Sequence, residues 1–169
     1  MTAIEGIKPI LALDVNGPVL VRGYDNSRGE FLETHVGSFP VAYSRRLPSR
    51  LAVLQRHYKI VWSTSYQGLA NRLIAPLIGL PDDLPFLNFD HYRAAGCGET
   101  SKLPSFKVGL RDHAVAIVDD KVGSDLRTWA LERGVLTLIL EVDRRTGLQD
   151  RHVVELIAFA RKVVDSRGC

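Results

Sequence analysis

The chain reads as a doubly wound α/β domain. Three observations predict it: four short apolar runs rich in β-branched residues, segments of helical period between them, and alternation of the two along the chain. The runs are ILALDV (Ile10 to Val15), KIVWST (Lys59 to Thr64), AVAIVDD (Ala114 to Asp120) and VLTLILEV (Val135 to Val142). They are near-continuous rather than alternating, as strands of a parallel sheet covered on both faces must be.

The intervening segments supply the covering helices. In LPSRLAVLQRHY, Leu47, Leu51, Leu54 and Tyr58 share one face; in GLANRLIAPLIGL the stripe is Leu69, Leu73, Ile74 and Leu77, with Pro76 expected to kink or end the helix. DLRTWALERG repeats apolar residues at Leu126, Trp129 and Ala130 and stops at Gly134, and DRHVVELIAFARKVV carries Val153, Leu156, Ile157, Ala160 and Val164 as a docked terminal helix. Two stretches break the alternation. Residues 18–44 hold Gly and Asp-Asn-Ser turn signals between short apolar pieces and predict one or two β-hairpins beside the first strand. Residues 81–100 predict an irregular loop with a short extended piece at Phe86 to Phe89. Neither is large enough for a second domain, so residues 1–169 are expected to form one.

Composition sets the wider frame. With 46% hydrophobic and 24% charged residues, 169 residues suffice for a core without metal or disulfide staples. Cys97 and Cys169 form no CxxC pair, which fits a reducing cytoplasm. No run approaches the roughly 18 apolar residues of a membrane span, and the first residues lack a signal-peptide pattern, so neither export nor membrane attachment is expected. The net charge of +3 is mild and leaves anionic small molecules and nucleic acid both open as partners. The densest basic stretch, YSRRLPSR with Arg45, Arg46 and Arg50, reads as a solvated helix start ahead of a nucleic-acid surface.

In open parallel sheets, ligands bind beyond the carboxyl ends of the strands. Those ends carry Asp14 and Asn16 after the first run, Ser63, Thr64 and Ser65 after the second, and Asp119 and Asp120 after the third; Lys102 opens the helix before the third. The set suits phosphoryl transfer through a covalent carboxylate intermediate, because an aspartate attacks phosphorus only when the phosphate charge is neutralised. Asp14 is the candidate nucleophile, Asp120 the main metal ligand with Asp119 in support, Thr64 a phosphate donor and Lys102 the charge clamp. An oxygen-only ligand set favours Mg²⁺.

On the pieces LALDVNGPV, LAVLQRHYKIVWSTSYQGLANRLIAPLIGLP, SKLPSF and VAIVDDKVGSDLRTWALERGVLTLILEVDRRTGLQDRHVVELIAFA, the chain resembles the haloacid dehalogenase superfamily. Within it the resemblance is to the small domain of Swiss-army-knife RNA-repair proteins and of stand-alone actinobacterial proteins. It implies a Rossmann-like three-layer α/β/α fold with a small β-hairpin flap and no large cap domain, Mg²⁺, and a phosphatase-type aspartyl mechanism on a phosphorylated small molecule or a nucleic-acid phosphate end. It carries Asp14, Thr64, Lys102, Asp119 and Asp120 into the roles already given, and adds the Asn16 backbone carbonyl as a metal ligand. Asp125 is open between a contact supporting the metal site and a solvated first-turn residue, and Lys107 is a competitor for the lysine role.

The departure is Asn16. Phosphatases of this superfamily usually place there an aspartate that protonates the leaving group and later activates water, and an amide cannot shuttle a proton. General acid–base catalysis is worth roughly 10²–10⁴-fold, so ordinary phosphomonoester hydrolysis is expected to be weak. Three explanations stand open: a substrate with a good leaving group, a substitute acid such as His35, or a domain that binds a phosphorylated ligand, protein or RNA without turnover. Deamidation of the Asn16–Gly17 pair, giving some aspartate, is a further expectation. The sequence names neither the substrate nor the oligomeric state.

Overall fold

A computed structural model describes residues 8–89 and 95–166. Cys169 and part of the 81–100 segment lie outside the described residues. In chain order the elements are β1 (Ile10–Leu13), β2 (Phe31–Val36), β3 (Phe39–Ser44), α1 (Leu47–His57), β4 (Lys59–Trp62), α2 (Leu69–Leu73), α3 (Ala75–Ile78), α4 (Leu103–Gly109), β5 (Val115–Asp119), α5 (Ser124–Glu132), β6 (Thr137–Glu141) and α6 (Asp150–Asp165).

The four apolar runs form one parallel sheet in the order β4-β1-β5-β6. Alternate residues of each strand point to opposite faces. Leu11, Leu13, Ile60, Trp62, Ala116 and Val118 pack under α1, α3 and α6, whereas Ile10, Ala12, Val61, Val115 and Ile117 pack under α4 and α5. The result is an α/β fold with helices on both sheet faces, compatible with a Rossmann-like arrangement. Residues 31–44 form one antiparallel hairpin as a separate two-stranded sheet, and Phe86 bridges Trp62 at the sheet edge, as its extended reading anticipates. No helix among the described residues is long and apolar enough to cross a membrane.

Two helix faces differ from expectation. Leu69 and Leu73 are exposed, while Ala70, Asn71, Ile74, Ala75 and Ile78 are buried. The reason is polar: the Trp62 indole N–H donates to Asn71 Oδ1 at 2.7 Å and the Asn71 amide donates to the Leu84 carbonyl at 2.8 Å. A buried indole needs that acceptor, so the helix turns Asn71 inward and its leucines outward. Pro76, at the start of α3, splits the segment into two short helices. In α6 the buried stripe is His152, Leu156, Ala160 and Val163, and Val164 is exposed.

The basic residues at the start of α1 are exposed or half-buried and make contacts within the fold. Arg50 donates to Asp150 Oδ1 and to the Leu148 carbonyl, both at 2.8 Å, Arg46 pairs with Asp150 at 2.7 Å, and Arg45 donates to the Gly29 carbonyl. The Arg46 and Arg50 contacts fasten the start of α1 to the start of α6, and the Arg45 contact ties the same stretch to the turn before β2.

The α6 start is itself a reciprocal cap: the Gln149 amide donates to His152 Nδ1 at 3.0 Å while the Gln149 side chain accepts from the backbone of His152. His152 must be neutral at Nδ1 to accept. Burial, with Arg151 and Arg50 nearby, holds it below its ordinary value. The unfolded chain therefore takes up a proton that the folded chain refuses, so this contribution is full above about pH 6.5 and is lost as pH falls through the folded value. His152→Gln offers a non-titrating acceptor at the same position; thermal unfolding followed from about pH 7 to pH 5 is expected to fall less steeply in this variant than in the parent.

Candidate active site

The sheet register brings the site together. The Asp14 amide donates to the Val118 carbonyl at 3.0 Å and the Ser63 amide donates to the Leu13 carbonyl at 2.8 Å, so β1, β4 and β5 end level. Lys102, at the first cap position of α4, reaches across all three ends. Its Nζ lies 3.0 Å from Asp14 Oδ2, 2.6 Å from Asp119 Oδ2 and 2.9 Å from the Ser63 carbonyl, which uses all three ammonium donors. The second oxygens are also held: Asp14 Oδ1 accepts the Val15 amide at 2.8 Å and Asp119 Oδ1 the Lys121 amide at 3.0 Å.

Asp125 explains how Lys102 is aimed. Its carboxylate accepts the Thr100 amide at 2.9 and 3.0 Å, while Thr100 Oγ1 accepts the Gly123 amide at 2.7 Å. The turn that carries Lys102 is thus strapped to the start of α5, and Asp125 is half-buried in that strap rather than solvated. Lys107 is exposed on α4, away from the cluster.

Asp120 completes the set. One oxygen from each of Asp14, Asp119 and Asp120 lies within 4.8 Å of the others. Gly17 permits this approach: its φ is +95°, and a β-carbon there would lie 2.5 Å from the Asp120 Cβ. Burial pushes the Asp14 carboxyl up to about 7, with Lys102 pulling it down and Asp119 pushing it further up. Burial works against the Lys102 ammonium too, but Asp119 and Asp14 outweigh it and hold its pKa above 10.5. Asp120 is also raised, by burial and then by Asp119. Three carboxylates crowd together and two of them, Asp14 and Asp119, contact the one buried ammonium, an excess of negative charge that a hard cation would relieve, and the all-oxygen donors suit one such as Mg²⁺.

Asp14, Asn16, Lys102, Asp119 and Asp120 line a cavity of about 450 Å³. Thr64 does not line it: it is 1% exposed, its hydroxyl accepts from the Tyr66 amide at 3.4 Å, and the neighbouring Ser65 is the residue on the wall. His35 is exposed on β2 and lines neither this cavity nor the adjoining one. Sequence reasoning missed Arg22, Lys121 and Arg144, which put positive charge on the same wall. Arg22 Nη2 donates to Asn16 Oδ1 at 3.3 Å, and its amide donates to the Arg144 carbonyl at 2.8 Å. Lys121 could have been found from its place beside the acid pair. No protein-family model matches the chain, and no curated protein matches it either.

The raised Asp14 value has a signed consequence. Between its ordinary 3.8 and about 7 the folded chain keeps a proton that the unfolded chain has lost, so the cation-free fold loses stability as pH rises through that window. A cation binds the ionised carboxylates and restores what was lost. Added Mg²⁺ is expected to raise the melting temperature more at about pH 8 than at about pH 5.5. Gly17→Ala is expected to lower stability by more than about 1 kcal/mol and to abolish the Mg²⁺ shift, both read by thermal unfolding.

Proposed function

We propose that the protein is a Mg²⁺-dependent phosphohydrolase or phosphotransferase of the haloacid dehalogenase type, acting through a phosphoryl group carried on Asp14. The observation that carries this reading is the buried Lys102 ammonium between Asp14 and Asp119, at 3.0 and 2.6 Å, in a cavity that also holds Asp120. An anionic nucleophile and an anionic phosphate meet only where their repulsion is cancelled. Asp14 forms the new bond to phosphorus, the bond to the leaving group breaks, and water then releases phosphate from Asp14. Lys102 orients Asp14 and opposes the effect of burial on its carboxyl, while Ser65, which lines the cavity, is the hydroxyl assigned to the phosphate and the buried Thr64 lies behind it in the chain. Asp14, Asp120 and the Asn16 backbone carbonyl would hold Mg²⁺, with Asp119 in support; the bound ion supplies further neutralisation of the phosphate charge.

Asn16 favours a second reading, a domain that holds a phosphorylated ligand without turnover. Its side chain passes no proton, and its oxygen is engaged by Arg22. Phosphate release from acetyl phosphate and from an alkyl phosphate, with and without Mg²⁺, separates the two. The enzyme reading expects Mg²⁺-dependent hydrolysis of acetyl phosphate by the parent, loss of it in Asp14→Asn, and a gain in Asn16→Asp on the alkyl ester approaching the roughly 10²–10⁴-fold worth of a general acid. A parent silent on acetyl phosphate beside an active Asn16→Asp supports the second reading. Activity that survives Asp14→Asn rules out the covalent route.

A further inference from the structure

A second cavity, of about 550 Å³, adjoins the first and shares Asn16 and Arg22 with it. Its walls have a different character. Beyond the shared pair it is lined by Leu20 and Val21, by Phe39 and Val41 of the hairpin, and by Tyr66 after β4. Phe39 is 74% exposed. One exposed ring is ordinary on a protein surface, but this one shares a cavity with a second aromatic side chain and opens onto a charged site. Gln67, directly after Tyr66, is the one non-glycine among the described residues with positive φ, at +46°, a conformation kept where surrounding structure demands it.

We propose that this second cavity receives the leaving group of the Asp14 reaction and that its occupant is a planar aromatic ring, which makes the substrate class phenolic phosphate monoesters. The inference rests on the phosphoryl-transfer reading above. A phosphate seated against Asp14 and Lys102 directs its ester oxygen away from Asp14 for in-line displacement, and the cavity that continues from Asn16 and Arg22 takes what that oxygen carries. The junction offers no acid: an amide and a guanidinium have no proton to give near neutral pH. A phenolic oxygen needs none. The Asp14 oxygen bonds to phosphorus, the phosphorus–aryl oxygen bond breaks with its electron pair leaving on a phenolate, and the fixed charge of Arg22 faces that anion. Water then cleaves the acyl phosphate to inorganic phosphate and restores Asp14, its protons going to solvent. Phe39 and Tyr66 supply faces and edges for the ring, the usual means of holding an aromatic group.

The test compares benzylphosphonate with methylphosphonate by titration calorimetry in Mg²⁺, on the parent, Phe39→Ala and Tyr66→Leu. Phe39 is exposed, so its truncation leaves the core packing intact. In the parent the benzyl compound is expected to bind at least about tenfold more tightly, and each variant to bring that ratio within about twofold of unity. Equal affinities in the parent, with methylphosphonate binding intact, overturn the aromatic subsite and leave the phosphoryl-transfer reading standing. Failure of methylphosphonate binding and acetyl phosphate turnover alike overturns both. Kinetics with phenyl phosphate and adenosine monophosphate separate the two sources of a ring: preference for the nucleotide, whose leaving group is an alkoxide, overturns the phenolic assignment.

Discussion

A single ammonium group, that of Lys102, joins the carboxyl ends of the three strands β1, β4 and β5 through Asp14, the Ser63 carbonyl and Asp119. Nothing local favours a cation there. Lys102 caps the N-terminus of α4, the positive end of the helix dipole, and no acidic residue lies in the first turn. Burial disfavours the charge as well. The two carboxylates outweigh both, and removing one partner from such a buried cluster typically costs about 3–5 kcal/mol because the remaining charge loses its compensation. The cluster is therefore both the centre of the cavity and a clasp on the sheet.

The surrounding chain is arranged to keep that clasp in register. Parallel pairing of Leu13 with Trp62 and with Val118 makes the next residues level, so a slip of one strand would carry its acid or carbonyl out of reach. The Thr100–Asp125 strap fixes the height of Lys102 over the sheet. Gly17 lets the loop after β1 lie directly on Asp120, bringing the third carboxylate against the first two. Each of these devices costs conformational freedom, and each acts on the same few side chains.

How much of this the sequence disclosed follows from which features are local. The four sheet strands were legible because strands buried on both faces must be continuously apolar, and Asp14, Asn16, Lys102, Asp119 and Asp120 were legible because sheet topology makes strand ends meaningful positions. Their meeting around one ammonium is geometry; their chemical roles belong to the proposal. The inward face of α2 was hidden, since Asn71 is buried only because a tryptophan nine residues earlier needs an acceptor. The periodicity of α6 pointed to Val153 and Val164, whereas the buried stripe is rotated by one residue to His152 and Val163, since His152 is held inward by the cap it makes with Gln149. Arg22 and Arg144 were illegible for a different reason. They meet through a backbone bond between two loops over a hundred residues apart, and no periodicity encodes such a pairing.

The charges in the cavity are sorted by depth, and under the proposed reading this sorting dictates an order of events. Asp14 and Asp119 are buried at the floor with only Lys102 between them, while Arg22, Lys121 and Arg144 are exposed at the wall. An approaching phosphate is drawn by the rim and repelled by the floor, since the three carboxylates outnumber the one ammonium. Interactions at that depth are poorly screened by salt, unlike those at the rim. The anion cannot descend to Asp14 until the excess negative charge is relieved, and protonating Asp14 relieves it only by disabling the nucleophile. A divalent cation relieves it while keeping Asp14 ionised. Cation before phosphate is thus the productive sequence, and the arginine left at the junction with Asn16 is then placed to meet negative charge developing on the side facing away from Asp14.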